Sequence, residues 1–275
     1  MATEMPAQRV GRLVPSEGPI LPDVVRSELT KFRCVRSTYA TLVAAFVAVA
    51  ALGPVQCALY ASNYPNVSAH EKAKFSATEL SLNGIQLAQL AIGVLGILLI
   101  TSEYATGLIR ATFAAVPQRR TVMAAKAIIF TVATLIVSEI GCFIAFFVGQ
   151  AFLAPKHLEA HIGDPGVIRA VIGGGLYLAV LGLLALGLGT AIRHSAGAIG
   201  TLMGLLFVLP GIAGALPQAW QNTINQYLPS NAGQQIFALR IKPYTLQPWA
   251  VLGVFFIYAA VALLLGAILL KRRDA

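Results

Sequence analysis

Glu139 is the one acidic residue near the middle of a long apolar run. An ionised carboxylate at the centre of a bilayer costs about 2.5–3.5 kcal/mol on insertion scales. It must therefore be protonated, paired, or turned to a wet cavity. Two roles fit: a substrate- or proton-contacting group, or a protonated carboxyl bonded to Ser138, Thr134, Gln86 or Gln89. Gln86 and Gln89 are three residues apart, so they share a helix face. With Gln56 they could line a path or simply join helices, since interhelical polar contacts stabilise a bundle in lipid.

Other chemistry is sparse. His157 and His161 flank Glu159 at a spacing that one metal could bridge on a helical turn. Pro155, Gly163 and Pro165 bracket them in a loop and no third ligand is at hand, so solvated histidines and no metal site are expected. Cys34, Cys57 and Cys142 are odd in number and lack metal spacing, and no structural disulfide is expected. None of the seven lysines follows a glycine. A phosphate-binding Gly-Lys-Ser/Thr loop is thus missing from the sequence, and no ATPase activity is expected in this chain. An intramembrane protease would need convergent Ser/His, paired carboxylates or a metal set at membrane depth. All four histidines lie outside the apolar runs, and Glu139 has no mate.

The elements that hold these residues follow from composition. The 275 residues are 57% hydrophobic and 11% charged, with mean hydropathy +0.75. A soluble domain carries about 25% charged residues, so lipid is the solvent for most of this chain. The net charge of +9 does not indicate nucleic acid, because the basic residues sit in short stretches between apolar runs. A spanning helix needs about 20 mostly apolar residues. Six stretches qualify, near 39–61, 84–101, 127–153, 170–192, 198–216 and 249–270. The second is short, and Pro210-Gly211 should kink the fifth. Gly200-x-x-x-Gly204 and the glycines of the fourth (Gly182, Gly187, Gly189) predict close helix packing.

The fold class expected is all-α: a polytopic membrane protein with six spanning helices and both termini cytoplasmic. With the N-terminus inside, fourteen of the twenty Lys and Arg face the cytoplasm, as the positive-inside bias requires. Residues 1–22 read as a disordered tail without a cleavable signal, and 271–275 as a basic tail. Outside lie three loops. The first carries the sequon Asn66-Val67-Ser68. The last, 217–248, has interfacial Trp220 and Trp249 at its flanks and a short helix expected around Ile236, Phe237 and Leu239.

Two cytoplasmic segments stand out. In 23–38, Val25, Leu29, Phe32 and Val35 recur at helical spacing behind Asp23 as N-cap, with Arg26, Lys31, Arg33 and Arg36 on the remaining surface. This predicts an interfacial helix on the inner leaflet, acting either as an anchor alone or as part of a docking surface. In the loop after the second span, Thr106 or Gly107 can start a helix and Pro117 can end it. Leu108, Ile109, Phe113 and Val116 give it an apolar stripe, which needs a partner or the chain's own bundle to cover it.

The run Glu103-Tyr-Ala-Thr-Gly-Leu-Ile-Arg110-Ala-Thr-Phe-Ala-Ala-Val-Pro117-Gln-Arg-Arg120, followed by Ala125-Lys126, resembles the permease subunit of ABC-2 type ATP-binding-cassette transporters. That family has E-Y-x-x-G-x-I/L-R, a small apolar segment, V-P-x-R, and A-K opening the third helix. Arg26-Ser-Glu28-Leu-Thr-Lys31 is similar to its R-x-E-x-x-K helix, and Leu228-Pro-Ser-Asn-Ala-Gly-Gln234 also resembles such permeases. The resemblance covers nearly all of the chain after its first twenty residues.

It implies an exporter of a lipid, drug or other hydrophobic compound in the plasma or inner membrane. Two permease chains, identical or related, would form the pathway. ATP and Mg would sit on a separate cytoplasmic ATPase subunit, with no cofactor in this chain. Glu103, Tyr104, Gly107, Leu108, Ile109, Arg110, Phe113 and Pro117 would form the coupling helix that enters a cleft of the ATPase. The helix bearing Arg26, Glu28, Lys31, Phe32, Arg33 and Arg36 would lie beside it. Gln86, Gln89 and Glu139 are the pathway candidates. The alternative is an ion-coupled secondary transporter using Glu139, against which stand the modest length and the lack of visible inverted repeats.

Overall fold

The computed structural model describes residues 21–116, 118–217, 227–239 and 247–272, and the expectations for residues 1–20, Pro117, Trp220 and the last three residues lie outside them. Among the described residues every regular element is helical. Six helices among these residues are long and apolar enough to cross a membrane.

Helix α1 (Leu21–Cys34) leads into α2 (Arg36–Asn63), the first span. The helix expected over 23–38 is therefore two: it starts earlier, at Leu21, and breaks at Val35, whose backbone is extended. Asp23 sits inside the first turn and not at the cap, where its charge still favours the positive helix end. Short helices α3 (Ala69–Lys74) and α4 (Ala77–Ser81) follow. Ser68 caps α3 in a reciprocal box with Glu71, and these hydrogen bonds hold the Glu71 carboxyl below the usual carboxylate range.

The second span is α5 (Ile85–Thr106). Gly107, at φ 72°, ends it and begins α6 (Leu108–Ala115). A left-handed residue at this junction is cheap only for glycine. The third span, α7, runs from Arg119 to Leu153, 35 residues. At 1.5 Å per residue it is about 52 Å long, well beyond a hydrocarbon core of about 30 Å. Its first eight residues carry Arg119, Arg120 and Lys126.

Helix α8 (Val167–Ile192) is the fourth span and the centre of the bundle, with 78% of its apolar window buried. Its glycines explain how. A Cβ on Gly182 would fall 2.8 Å from the Phe130 ring, and one on Gly189 3.1 Å from the Ile97 backbone. On Gly187 it would fall 2.7 Å from the backbone of Ala262 and Leu263. The fifth span is broken into α9 (Ser195–Met203), a π-helical turn (Gly204–Val208) and α10 (Leu209–Gly214). The irregularity expected at Pro210 thus falls in the preceding turn, where proline removes a backbone donor. Gly200 and Gly204, expected to pack closely, meet nothing within 4 Å of a Cβ, because this span lies at the rim with 22% of its window buried.

Helix α11 (Pro229–Gln234) precedes the last span, α12 (Pro248–Arg272). The helix expected around 236–239 lies earlier in the chain. Ile236 is fully buried against Gly173, and Phe237 packs edge-on to Tyr177 at 5.7 Å, so this segment is seated in the bundle. Arg169 fixes it by donating to the carbonyls of Ile236 and Ala238 at 2.7 and 3.0 Å.

Candidate functional site

The end of the bundle formed by α1, α6 and the start of α7 concentrates the buried charge. Helix α1 buries Val24, Glu28 and Phe32, a stripe at four-residue spacing that runs through a carboxylate. Glu28 is 4% exposed, and so is Lys126 of α7. The Lys126 ammonium donates to Glu28 Oε2 at 2.6 Å and to Glu103 Oε1, at the end of α5, at 2.6 Å. Lys31 Nζ donates to Glu28 Oε1 at 2.6 Å and to Thr112 Oγ1 of α6 at 3.2 Å. One cluster of two ammonium and two carboxylate groups therefore ties α1, α5, α6 and α7 together. Paired in this way, charges can stay buried where single ones could not.

Apolar contacts reinforce it. Val24, Val122 and Ala125 form a buried group, with Phe113 and Val116 against it. Ile109 is 2% exposed and packs with Ile100 and Leu186. Most of the α6 stripe is thus covered by the chain's own bundle. Leu108 is the exception, at 59% exposure, and Arg110 and Ala111 are exposed beside it. Arginines fasten the same end. Arg119 lies over the Phe113 ring at 5.3 Å and donates to the Leu270 carbonyl at 2.7 Å. Arg193, left-handed at φ 61°, closes α8, lies 5.1 Å from the Tyr104 ring and donates to the Leu269 carbonyl at 3.3 Å. The end of α12 therefore sits at the α1 end of the molecule.

Of the interfacial residues, Arg26, Lys31, Arg33 and Arg36 are exposed, whereas Glu28 and Phe32 are buried. Beside the ion cluster a crevice of about 450 Å³ opens between α1, α2, α5, α6 and α7. Glu28, Lys31, Glu103 and Lys126 form its polar part, and Leu95, Leu98, Leu99 and Ile129 its apolar walls.

The pathway candidates are elsewhere and apart from this cluster. Tyr177 donates to Gln89 Oε1 at 2.6 Å, Gln89 Nε2 donates to Gln86 Oε1 at 3.0 Å, and Gln234 Nε2 reaches the same oxygen at 3.3 Å. The two glutamines thus join α5, α8 and α11. Gln56 likewise accepts from Asn83, at 2.6 Å. Glu139 belongs to neither set. Its carboxyl packs on Gly175, and its buried Oε2 has no hydrogen-bond partner, nor does the Thr134 hydroxyl.

Sequence reasoning placed Glu28 and Glu103 on separate elements and saw Lys126 only as the opening of a helix. The available signal was the position of Lys126: a basic residue six positions past Arg120, where the helix has already turned apolar, with a carboxylate, Glu28 or Glu103, on each of two other segments. No protein-family model matches this chain, and no curated protein matches it.

Proposed function

We propose that this chain is the transmembrane permease subunit of an ABC-2 type transporter, exporting a hydrophobic compound across the cell membrane. A separate cytoplasmic ATPase, carrying ATP and Mg, would supply the work, and a second permease chain would complete the pathway. The α1 end would be the cytoplasmic one, with α1 along the inner leaflet.

One observation carries the mechanical part of this reading: Lys126 joins Glu28 and Glu103, so α1, α5 and α7 move as a unit at the end where α6 lies. A force applied to α6 reaches that unit through Lys31 and Thr112. Leu108, Arg110, Ala111 and Ala114 are the part of α6 left for a partner.

The test is co-expression with the partner ATPase and affinity purification of the complex. Phe113 is a poor probe, since it packs into the bundle. Arg110→Asp with Ala111→Asp changes only exposed positions. The pair should abolish co-purification and ATP-dependent efflux while leaving the chain monodisperse. Intact complex and efflux would refute the coupling role.

A second reading, an ion-coupled carrier, is favoured by the unpartnered oxygen of Glu139. Its signature is gradient-driven transport without ATP that Glu139→Gln abolishes.

A further inference from the structure

Helix α2 carries an unbroken exposed row at four-residue spacing: Tyr39, Val43, Val47, Ala51, Val55 and Leu59. Its five large side chains are 47–59% exposed. Tyr39 and Leu59 are 20 residues apart, about 30 Å at 1.5 Å each, and a hydrocarbon core is about 30 Å thick. Every member is apolar apart from the Tyr39 hydroxyl, and tyrosine belongs at the membrane interface. The row matches the depth of the lipid, which puts the residues just before Tyr39 in a headgroup layer.

Those residues are cationic. Arg36 opens α2, and Arg33 lies in the last turn of α1, about two turns beyond Arg26. All three are exposed, and among the described residues none is in an ion pair. The acids of α1 do not neutralise them. Glu28 is buried and held by Lys31 and Lys126. Asp23 lies ten residues before Arg33, about 15 Å along the helix. By taking up Glu28, the ion cluster leaves the junction of α1 and α2 with unbalanced positive charge. At about 100° per residue, Arg36, Tyr39, Val43 and Val47 fall within about 80° of one another around α2. A molecule with an anionic head and an apolar chain meets guanidinium, phenol and valines in that order. A free phosphate has no use for the row, and an acidic protein has no chain to lay along it.

We propose that the α1–α2 junction binds an anionic phospholipid of the leaflet, its phosphate at Arg33 and Arg36 and one acyl chain over Tyr39, Val43 and Val47. Guanidinium pairs with phosphate through two parallel N–H···O bonds. The positive charge left over selects a head of net negative charge over a zwitterionic one. The site uses no residue of α6 and does not depend on an ATPase partner.

Val43→Trp places a reporter on the row, with Trp220→Phe and Trp249→Phe to silence the native indoles. The full chain is reconstituted in bilayers. Fluorescence quenching by phosphatidylglycerol brominated on its acyl chains is compared with quenching by phosphatidylcholine brominated in the same way. Phosphatidylglycerol should be preferred by about fivefold or more, the factor given by about 1 kcal/mol for one basic residue at an anionic surface. Arg33→Gln with Arg36→Gln should bring the two lipids close to parity. Lys74→Gln with Lys156→Gln removes as much charge from exposed positions that follow the far ends of α2 and α7, and should leave the preference intact. Val55→Trp reads the other leaflet, 12 residues or about 18 Å further along, and should show no preference. If the arginine variant is not monodisperse, about 1 M NaCl should collapse the preference of the parent, because the screening length falls to about 3 Å. No preference at Val43, a preference indifferent to both arginine replacement and salt, or an equal one at Val55 overturns the proposal. So does a Val43→Trp reporter that neither lipid quenches, the result expected if a second copy of this chain covers the row. Since no ATPase is present, none of these results bears on the coupling role of α6.

Discussion

The ammonium of Lys126 lies 2.6 Å from the carboxylate of Glu28, 98 residues away in sequence, and both side chains are 4% exposed. A helix that only floated on a headgroup layer would keep its charges in water. Helix α1 instead turns a carboxylate inward, between Val24 and Phe32, and meets a lysine held by a spanning helix. Desolvating the two charges is costly, so the pair fixes the position of α1 more than it stabilises the fold. Its value lies in specifying one docking geometry for a short amphipathic helix that could otherwise slide along α7.

Removing one member and removing all of them should have very different effects. Lys126→Met leaves Glu28 with Lys31 alone and takes from Glu103 the ammonium it is paired with, and should destabilise the chain by about 3–5 kcal/mol. Combining Lys126→Met with Glu28→Gln and Glu103→Gln removes the uncompensated charge, and most of that loss should return. Thermal unfolding of the detergent-solubilised variants measures both. Equal losses in the single and triple variants would mean that the cluster stabilises the fold outright.

The six apolar runs were legible because a spanning helix is set by length and hydropathy, which are local properties. The ion cluster was not. Helical spacing alone predicts a stripe through Val25, Leu29, Phe32 and Val35, beside Glu28 and not through it. Phe32 is buried as that stripe requires, but Val25 and Leu29 are half-buried and Val35 exposed, and the buried face shifts to Val24, Glu28 and Phe32, because Lys126 compensates the carboxylate. Only a contact between distant segments makes that shift favourable, and periodicity carries no information about such contacts. The glycines divide on the same ground. Gly187 and Gly200 look alike in sequence, but one faces the central bundle and the other its rim.

That division is testable. Gly187→Val would put a Cβ 2.7 Å from the backbone of Ala262 and Leu263. Backbone cannot step aside as a flexible side chain can, and the variant should lose at least the 1–3 kcal/mol or so typical of overpacking. Gly200→Ala meets nothing within 4 Å and gains up to about 1 kcal/mol of helix propensity. Melting temperatures should move in opposite directions, or stay level for Gly200→Ala.

Tyr177 and Gln89 form a deeply buried polar pair, at 0% and 1% exposure, and their bond is 2.6 Å long. Tyr177→Phe keeps the ring stacked on Phe255 but leaves the Gln89 oxygen without its donor. The cost should be about 1–3 kcal/mol, the penalty for an unsatisfied buried acceptor, and greater than the average of about 0.6 kcal/mol for an interhelical polar contact. Adding Gln89→Leu should recover part of it. A double-mutant cycle on unfolding midpoints reads the coupling directly.

Orientation can be measured on the native sequence. Cys34 is exposed at the end of α1, and Cys57 and Cys142 are buried. A membrane-impermeant maleimide applied to intact cells therefore interrogates one position. The basic residues of α1, Arg26, Lys31 and Arg33, lie on the same short helix. The positive-inside bias holds such clusters on the cytoplasmic side of the membrane. Cys34 should thus stay unlabelled in intact cells and react after permeabilisation, while Cys34→Ser should abolish the signal in both cases. An ATPase in the cytoplasm can reach α6 only in this orientation, because Lys31 of α1 bonds Thr112 of α6 and puts the two helices at one end. Labelling of Cys34 from outside would remove α6 from any cytoplasmic partner and the transporter reading with it.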